Sequence, residues 1–402
     1  MDTTLLLGLT IGLSVLLIVL LIVVTVANSL NRAQGLMPAI VLPENLAKTI
    51  GRRRAADAAA AAAVKAEPQA DKKADKKAVN GFGTLIAIGS SVAVLSGVIA
   101  FAKEINNGDI APEIKDITAG ELHGTMINAR NSDPVVLIVP GSGPTDRDGN
   151  SPMGMKTDAY KLLAEALSEE HISTVRVDKR GMFGSAGAGD PNITSPQAYV
   201  HDIHAWIDAI KTERGSKCVF LLGHSEGALM VSLAAEGRKD VCGLILVAGM
   251  GRKMGDVIRE QLTSNPANAP VLDQALAALS SLEAGQHVDV TNMHPALLSL
   301  FNPKVQDYLI SMFAIDPVDA VRRAKQDALI VQGERDIQVS VADAHLLDAA
   351  PKTRLRLLEH MNHVLKDAPE DRAGNLATYA DPSLPLAKDL VKYVRRFVKD
   401  ND

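Results

Sequence analysis

The sequence has no basic surplus: 42 Lys and Arg stand against 47 Asp and Glu over 402 residues, a net charge of -5. No basic face is concentrated in its later part, so a nucleic-acid partner, which requires Lys and Arg gathered against phosphates, is not expected. Cysteine is scarce, with only Cys218 and Cys242. Histidines at metal-ligand spacing are scarce too. His201 and His204 lie three apart on a helical pattern, but no carboxylate and third histidine join them on that element. They read as a solvated helix face, and neither metal nor cofactor is expected.

Charge is missing altogether from two long stretches. Thr3 to Ala27 holds no charged residue, which suffices for the ~20 helical residues that cross a ~30 Å hydrocarbon layer. A cleaved signal peptide would begin with basic residues and carry a shorter apolar run, whereas this chain begins MDTT, so residues 1–30 read as a transmembrane helix. Val79 to Ala102 is also uncharged and shows no polar face at helical spacing, which makes 79–102 a second span. Residues 31–78 hold Arg52, Arg53 and Arg54, an alanine tract, and Lys72, Lys73, Lys76 and Lys77. They read as a solvated, basic linker. Basic flanks stay on the cytoplasmic side. The expectation is therefore a multi-pass bacterial inner-membrane protein with both chain ends outside, and residues 108–402 in the periplasm or extracellular space.

From there the pattern changes to that of a soluble body. Strands are expected at 121–129 as a sheet edge, then at 134–140, 173–178, 219–223, 243–249, 328–333 and 353–359. Helical patterns lie between them at 159–169, 197–211, 228–236 and 342–350, with a last helix ending near Lys399. This alternation predicts the α/β class, a doubly wound, mostly parallel sheet with helices on both faces. The one long interruption, about 250–326, has helical patterns at 271–282 and 304–313. Placed after a strand's carboxyl end, it reads as a cap over the ligand crevice. Cys218 and Cys242 hold equal offsets in neighbouring strands, which sets them side by side. They read as unpaired small apolar residues, with a disulfide as the alternative in an oxidising compartment.

Between the strand at 219–223 and the next helix stands Gly223-His224-Ser225-Glu226-Gly227. A serine becomes a nucleophile when it projects from a strained strand-to-helix turn, and such a turn tolerates only small residues two positions to either side. An acid and then a histidine should follow on later strands. Asp336 is the candidate acid, with Glu334 as its competitor, and His363 is the candidate base, with His360 as its competitor. The expected chemistry is acyl transfer: His363 takes the Ser225 proton and Asp336 orients the imidazole. Backbone donors for the oxyanion are expected from Glu226 and from Ser142, with Gly143 next. Asp146, Arg147, Asp148, Asp178 and Arg180 read as scaffold ties, and His224 as filler. Glu226 has two readings, a carboxylate favoured by a helix N-terminus or an anchor for a substrate amine.

Taken together, VPGSGPTDRDGN (139–150), VDKRGMFGS (177–185), GHSEG, GERDIQV (333–339) and NHVLK (362–366) resemble bacterial α/β-hydrolase carboxylesterases of the serine aminopeptidase-like, lysophospholipase-like group. The resemblance covers about residues 112–399. It implies an eight-stranded sheet with a cap and activity on carboxylic esters; for an enzyme tethered to a bilayer, small or lipid-like esters are the expected substrates. A peptidase would use the same three side chains, and a binding protein on this fold would be expected to lack one of them. The two N-terminal spans lie outside the resemblance.

Overall fold

The computed structural model describes residues 112–129 and 134–402. The chain divides into two units, Met1–Asn106 and Asn107–Asp402. The expected spans at 1–30 and 79–102 and the linker at 31–78 lie outside the described residues. Among the described residues no helix is long and apolar enough to cross a membrane.

The second unit is built on one eight-stranded sheet of order β1-β2-β4-β3-β5-β6-β7-β8. Its strands are β1 (Glu113–Ala119), β2 (Leu122–Asn128), β3 (Val135–Val139), β4 (Ser173–Val177), β5 (Val219–His224), β6 (Val241–Val247), β7 (Ala328–Gly333) and β8 (Thr353–Leu358). β2 pairs antiparallel with both β1 and β4, and every other pairing is parallel. This is the α/β-hydrolase architecture. Every residue of β3, β4, β5 and β7 is buried, as expected of parallel strands covered on both faces. The sheet edge departs from expectation. The segment at 121–129 is not the edge strand, because Glu113–Ala119 pairs along its whole length from outside.

The helices are α1 (Ala159–Glu169), α2 (Pro196–Arg214), α3 (Glu226–Ala235), α4 (Met254–Ser264), α5 (Leu272–Glu283), α6 (Pro303–Phe313), α7 (Pro317–Ala324), α8 (Val341–Asp348), α9 (Arg372–Ala377) and α10 (Leu390–Asn401). Their starts are written in short motifs. Ser195 accepts from the Ala198 amide ahead of α2, with Pro196 as the first helical residue. Asn302-Pro303 and Asp316-Pro317 repeat the device at α6 and α7. A side-chain oxygen satisfies an orphan amide, and proline occupies a place that needs no N–H.

The interruption after β6 is helical, as expected, but the sequence pattern showed two helices where α4 to α7 are four. α4, α5 and α6 pack on one another, whereas α7 packs on α3 and serves the crossover from β6 to β7. The cap proper is therefore α4 to α6. Tyr308 of α6 meets Tyr199 of α2 edge-on at 5.9 Å between centroids, which seats the cap on the body.

Cys218 and Cys242 correct the reading of unpaired cysteines, for they form a disulfide. Both are half-buried at the entry end of the parallel strands, where Cys242 packs against the margin of the core. Their Cα atoms are 5.3 Å apart, within the span that a disulfide bridges without backbone movement.

Candidate active site

The carboxyl ends of β3, β5, β7 and β8 open on one side of the sheet, and each delivers part of the site. At the end of β5 the chain reverses into α3 at Ser225, whose φ of 55° and ψ of -121° are strained for a residue with a side chain, at roughly 1–3 kcal/mol. The glycines two positions away make the turn possible. A Cβ at Gly223 would lie 2.2 Å from the Gly227 carbonyl oxygen, and one at Gly227 would lie 2.5 Å from that of Val139. The Ser225 amide is held by the Val247 carbonyl at 2.8 Å.

The loop after β7 supplies Asp336. Its side chain is 1% exposed, and its Oδ1 accepts from the amides of Gln338 at 2.8 Å and Val339 at 3.0 Å. Oδ2 accepts from His363 Nδ1 at 2.8 Å and Gln332 Nε2 at 3.2 Å. Burial pushes this carboxyl up, but the His363 charge and hydrogen bond, with the two amides, outweigh it and hold the group below the usual carboxylate range. The loop after β8 supplies His363. Asn362 shapes that loop, accepting from the amides of Val364 and Lys366 and donating to Asn375 and Thr378. Gly333 lets the two loops meet, since a Cβ there would lie 2.0 Å from the Met361 carbonyl oxygen. The competitors point elsewhere: Glu334 is exposed and His360 lies 3.9 Å from Glu359 with half its side chain in solvent.

His224 is more than filler. Its Nε2 lies 2.8 Å from the His363 carbonyl oxygen and its Nδ1 lies 2.7 Å from the Tyr160 hydroxyl. A carbonyl only accepts, so Nε2 carries the proton and Nδ1 accepts from Tyr160. The Tyr160 oxygen in turn accepts from the Gly141 amide at 3.3 Å. Burial, with the charge of His363 next, lowers the imidazole of His224 to about 3, so it is neutral.

The loop after β3 lies against the elbow, where a Cβ at Gly141 would be 3.0 Å from Ser225 Cβ. Among the described residues the amides of Ser142 and Gly143 have no acceptor, and Glu226 is the first residue of α3, where amides lack helical partners. Ser225 Oγ is not hydrogen-bonded to His363. Such contacts commonly tighten only when substrate is bound.

The sequence from 152 to 368, more than half of the chain, matches the family model described as serine aminopeptidase, S33. The chain belongs to that family. A curated relative, esterase EstD of Thermotoga maritima, is 26% identical over 262 residues, and the chain spans about 60% of its length while matching over 63% of its own. Among solved structures, Est1E of Butyrivibrio proteoclasticus with bound ferulic acid is 18% identical, covers 71% of this chain and 96% of its own, and has a TM-score of 0.44. The Pyrococcus furiosus esterase Pf2001 is 17% identical, covers 72% and 92%, and has a TM-score of 0.44.

Within this S33 member the charged loop residues near the elbow are occupied with one another. Arg147 donates to Asp178 from Nε at 2.9 Å and Nη2 at 2.6 Å, and to Thr125 at 3.0 Å. Asp146 accepts from the amides of Asp148 and Asn150, Asp148 pairs with Arg176, and Arg180 pairs with Asp202. Glu226 is buried and has the buried ammonium of Lys179 as a cationic neighbour. Tyr160, Lys179, Gln332 and Asn362 are the side chains that sequence reasoning passed over. Three of them lie inside quoted motifs or next to them, so position was the only available signal.

Proposed function

We propose that this S33 member hydrolyses carboxylic esters through an acyl-enzyme on Ser225. His363 Nε2 takes the hydroxyl proton as Oγ attacks the ester carbonyl. Asp336 holds Nδ1–H and stabilises the imidazolium, and as the intermediate collapses His363 gives the Nε2 proton to the departing alcohol. A water activated by the same histidine then releases the acid. The amides of Glu226 and Ser142, with Gly143 next, receive the oxyanion. The observation that carries the reading is the His363–Asp336 hydrogen bond of 2.8 Å, formed between the loops after β7 and β8 at the same end of the sheet as the strained Ser225. The name of the curated relative, an esterase, agrees with it.

The family's description favours a second reading, a serine peptidase using the same residues. Glu226 would be the natural anchor for a substrate amine, but it is buried and already neighbours Lys179, which favours esters. The uncharged stretches at 3–27 and 79–102 support anchoring in a membrane, where small or lipid-like esters would be met. The disulfide supports a body facing an oxidising compartment.

A fluorophosphonate probe should label the wild-type protein and leave Ser225→Ala unlabelled, and the variant should lose at least about 10⁴-fold in ester turnover. Equal labelling of both would remove the mechanism. Turnover of amino-acid amides faster than of para-nitrophenyl esters would select the peptidase instead.

A further inference from the structure

In the loop that faces the Ser225 elbow, Thr145 ties the Ser142 and Gly143 carbonyls, but nothing within the loop ties the Gly141–Ser142 peptide. Gly141 has no side chain, Ser142 is exposed, and Gly143 sits at a φ of 71°. A backbone of this composition has many accessible conformations and must be fixed from outside. The peptide before Gly141 is fixed by the Tyr160 hydroxyl on its N–H. The peptide after it is fixed by Lys179, whose Nζ donates to the Gly141 carbonyl oxygen at 2.7 Å.

Lys179 is an unusual group to spend on a carbonyl. It is 8% exposed, and its burial works against the charged ammonium while Glu226 favours it. Its amine stands 6.0 Å from the centre of the Tyr199 ring. The adjoining cavity is bounded in part by Glu226, Tyr199 and Met230. The contact that the Lys179 amine makes is with the protein backbone, at the Gly141 carbonyl oxygen.

We propose that Lys179 is a positioning residue for the oxyanion hole: its ammonium orients and polarises the Gly141–Ser142 peptide so that the Ser142 amide donates to the developing oxyanion. In a trans peptide the C=O and N–H point in opposite directions. An ammonium fixed on the Gly141 oxygen therefore fixes the direction of the Ser142 N–H. A charge-assisted bond on the oxygen also draws electrons from the nitrogen and makes its proton a stronger donor. The nearby Glu226 carboxylate favours the charged form of Lys179. The inference rests on the esterase reading above.

The test compares Lys179→Met, Lys179→Gln and Lys179→Arg with wild type and Ser225→Ala, using full-length protein and para-nitrophenyl esters. Losing one oxyanion donor costs about 10²–10³ in kcat. Lys179→Met should lose roughly 10- to 100-fold in kcat with KM within about twofold, and binding of an arylboronic acid, which forms a tetrahedral adduct on the serine, should weaken in step. Lys179→Arg should recover most of kcat by restoring a cationic donor. Lys179→Gln should fall between them, and it carries the comparison should the methionine variant not fold. Wild-type kcat in folded Lys179→Met or Lys179→Gln, or a loss confined to KM, overturns the assignment of Lys179. Absence of ester turnover in the wild type overturns the esterase reading itself, and turnover that survives in Ser225→Ala overturns Ser225 as its nucleophile, so these failures are separate from that of Lys179.

Discussion

His224 has both ring nitrogens committed, one to the backbone of His363 and the other to Tyr160, and burial with the His363 charge brings its pKa to about 3. In the unfolded chain a histidine titrates near 6.5. Between those two values only the unfolded state takes up the proton, so this residue's contribution to stability is present above about pH 6.5 and is lost progressively as pH falls toward 3. From pH 7 to pH 5 the loss should be about 2 kcal/mol. Urea unfolding of wild type and His224→Gln at the two pH values should show wild type losing about that much more than the variant. Parallel losses would mean that the ring is protonated in the native state. The same residue shows what sequence conveys at this scale. Ser225, Asp336 and His363 stand out as candidates because chain order and turn chemistry mark them, and the structure pairs the last two, whereas a histidine inside the elbow carries no mark of the tyrosine that meets it from α1. Gln332 and Asn362 were hidden for the same reason. A glutamine ending a strand and an asparagine before a histidine acquire their work only when β7 and β8 lie side by side.

Elements were legible where burial is two-sided. β3 is a continuous apolar run, β5 and β7 open with four apolar residues each, and α1 matched its expected span, 159–169, residue for residue. β1 was missed because EIKDITA carries three charges in seven residues and buries only Ile117 and Ala119. Its place comes from pairing with β2, not from its own pattern. The cysteines make the same point from the other side. Adjacency followed from equal offsets in two strands, but the bond depended on where along the sheet the pair fell, and it fell at the half-buried entry end. The bridge joins residues 24 apart and encloses β5 and α3. In the chain-entropy account such a closure stabilises by about 3.5 kcal/mol. The double substitution Cys218→Ala and Cys242→Ala should lower the urea unfolding free energy by roughly that amount. Ester kcat should stay within about twofold, since the bridge lies at the opposite end of β5 from Ser225. A variant as stable as wild type would show that the native chain keeps these thiols reduced.

For the whole molecule, two independent arguments point the hydrolase unit in one direction. Arg52, Arg53 and Arg54 follow the first uncharged stretch, and Lys72, Lys73, Lys76 and Lys77 precede the second, so the segment between them should stay in the cytoplasm and send both ends out. A disulfide across the body would persist on that outer side and would be reduced on the inner one. The charge argument uses residues 31–78 and the redox argument uses residues 218 and 242, so neither borrows from the other. Fusing alkaline phosphatase after Asp402 tests both at once in bacterial cells, because that reporter folds only where its own disulfides can form. The expected outcome is an active phosphatase fusion in the membrane fraction, with a β-galactosidase fusion at the same residue inactive. The opposite pattern would place the body in the cytoplasm, and Cys218 and Cys242 would then be free thiols in the cell.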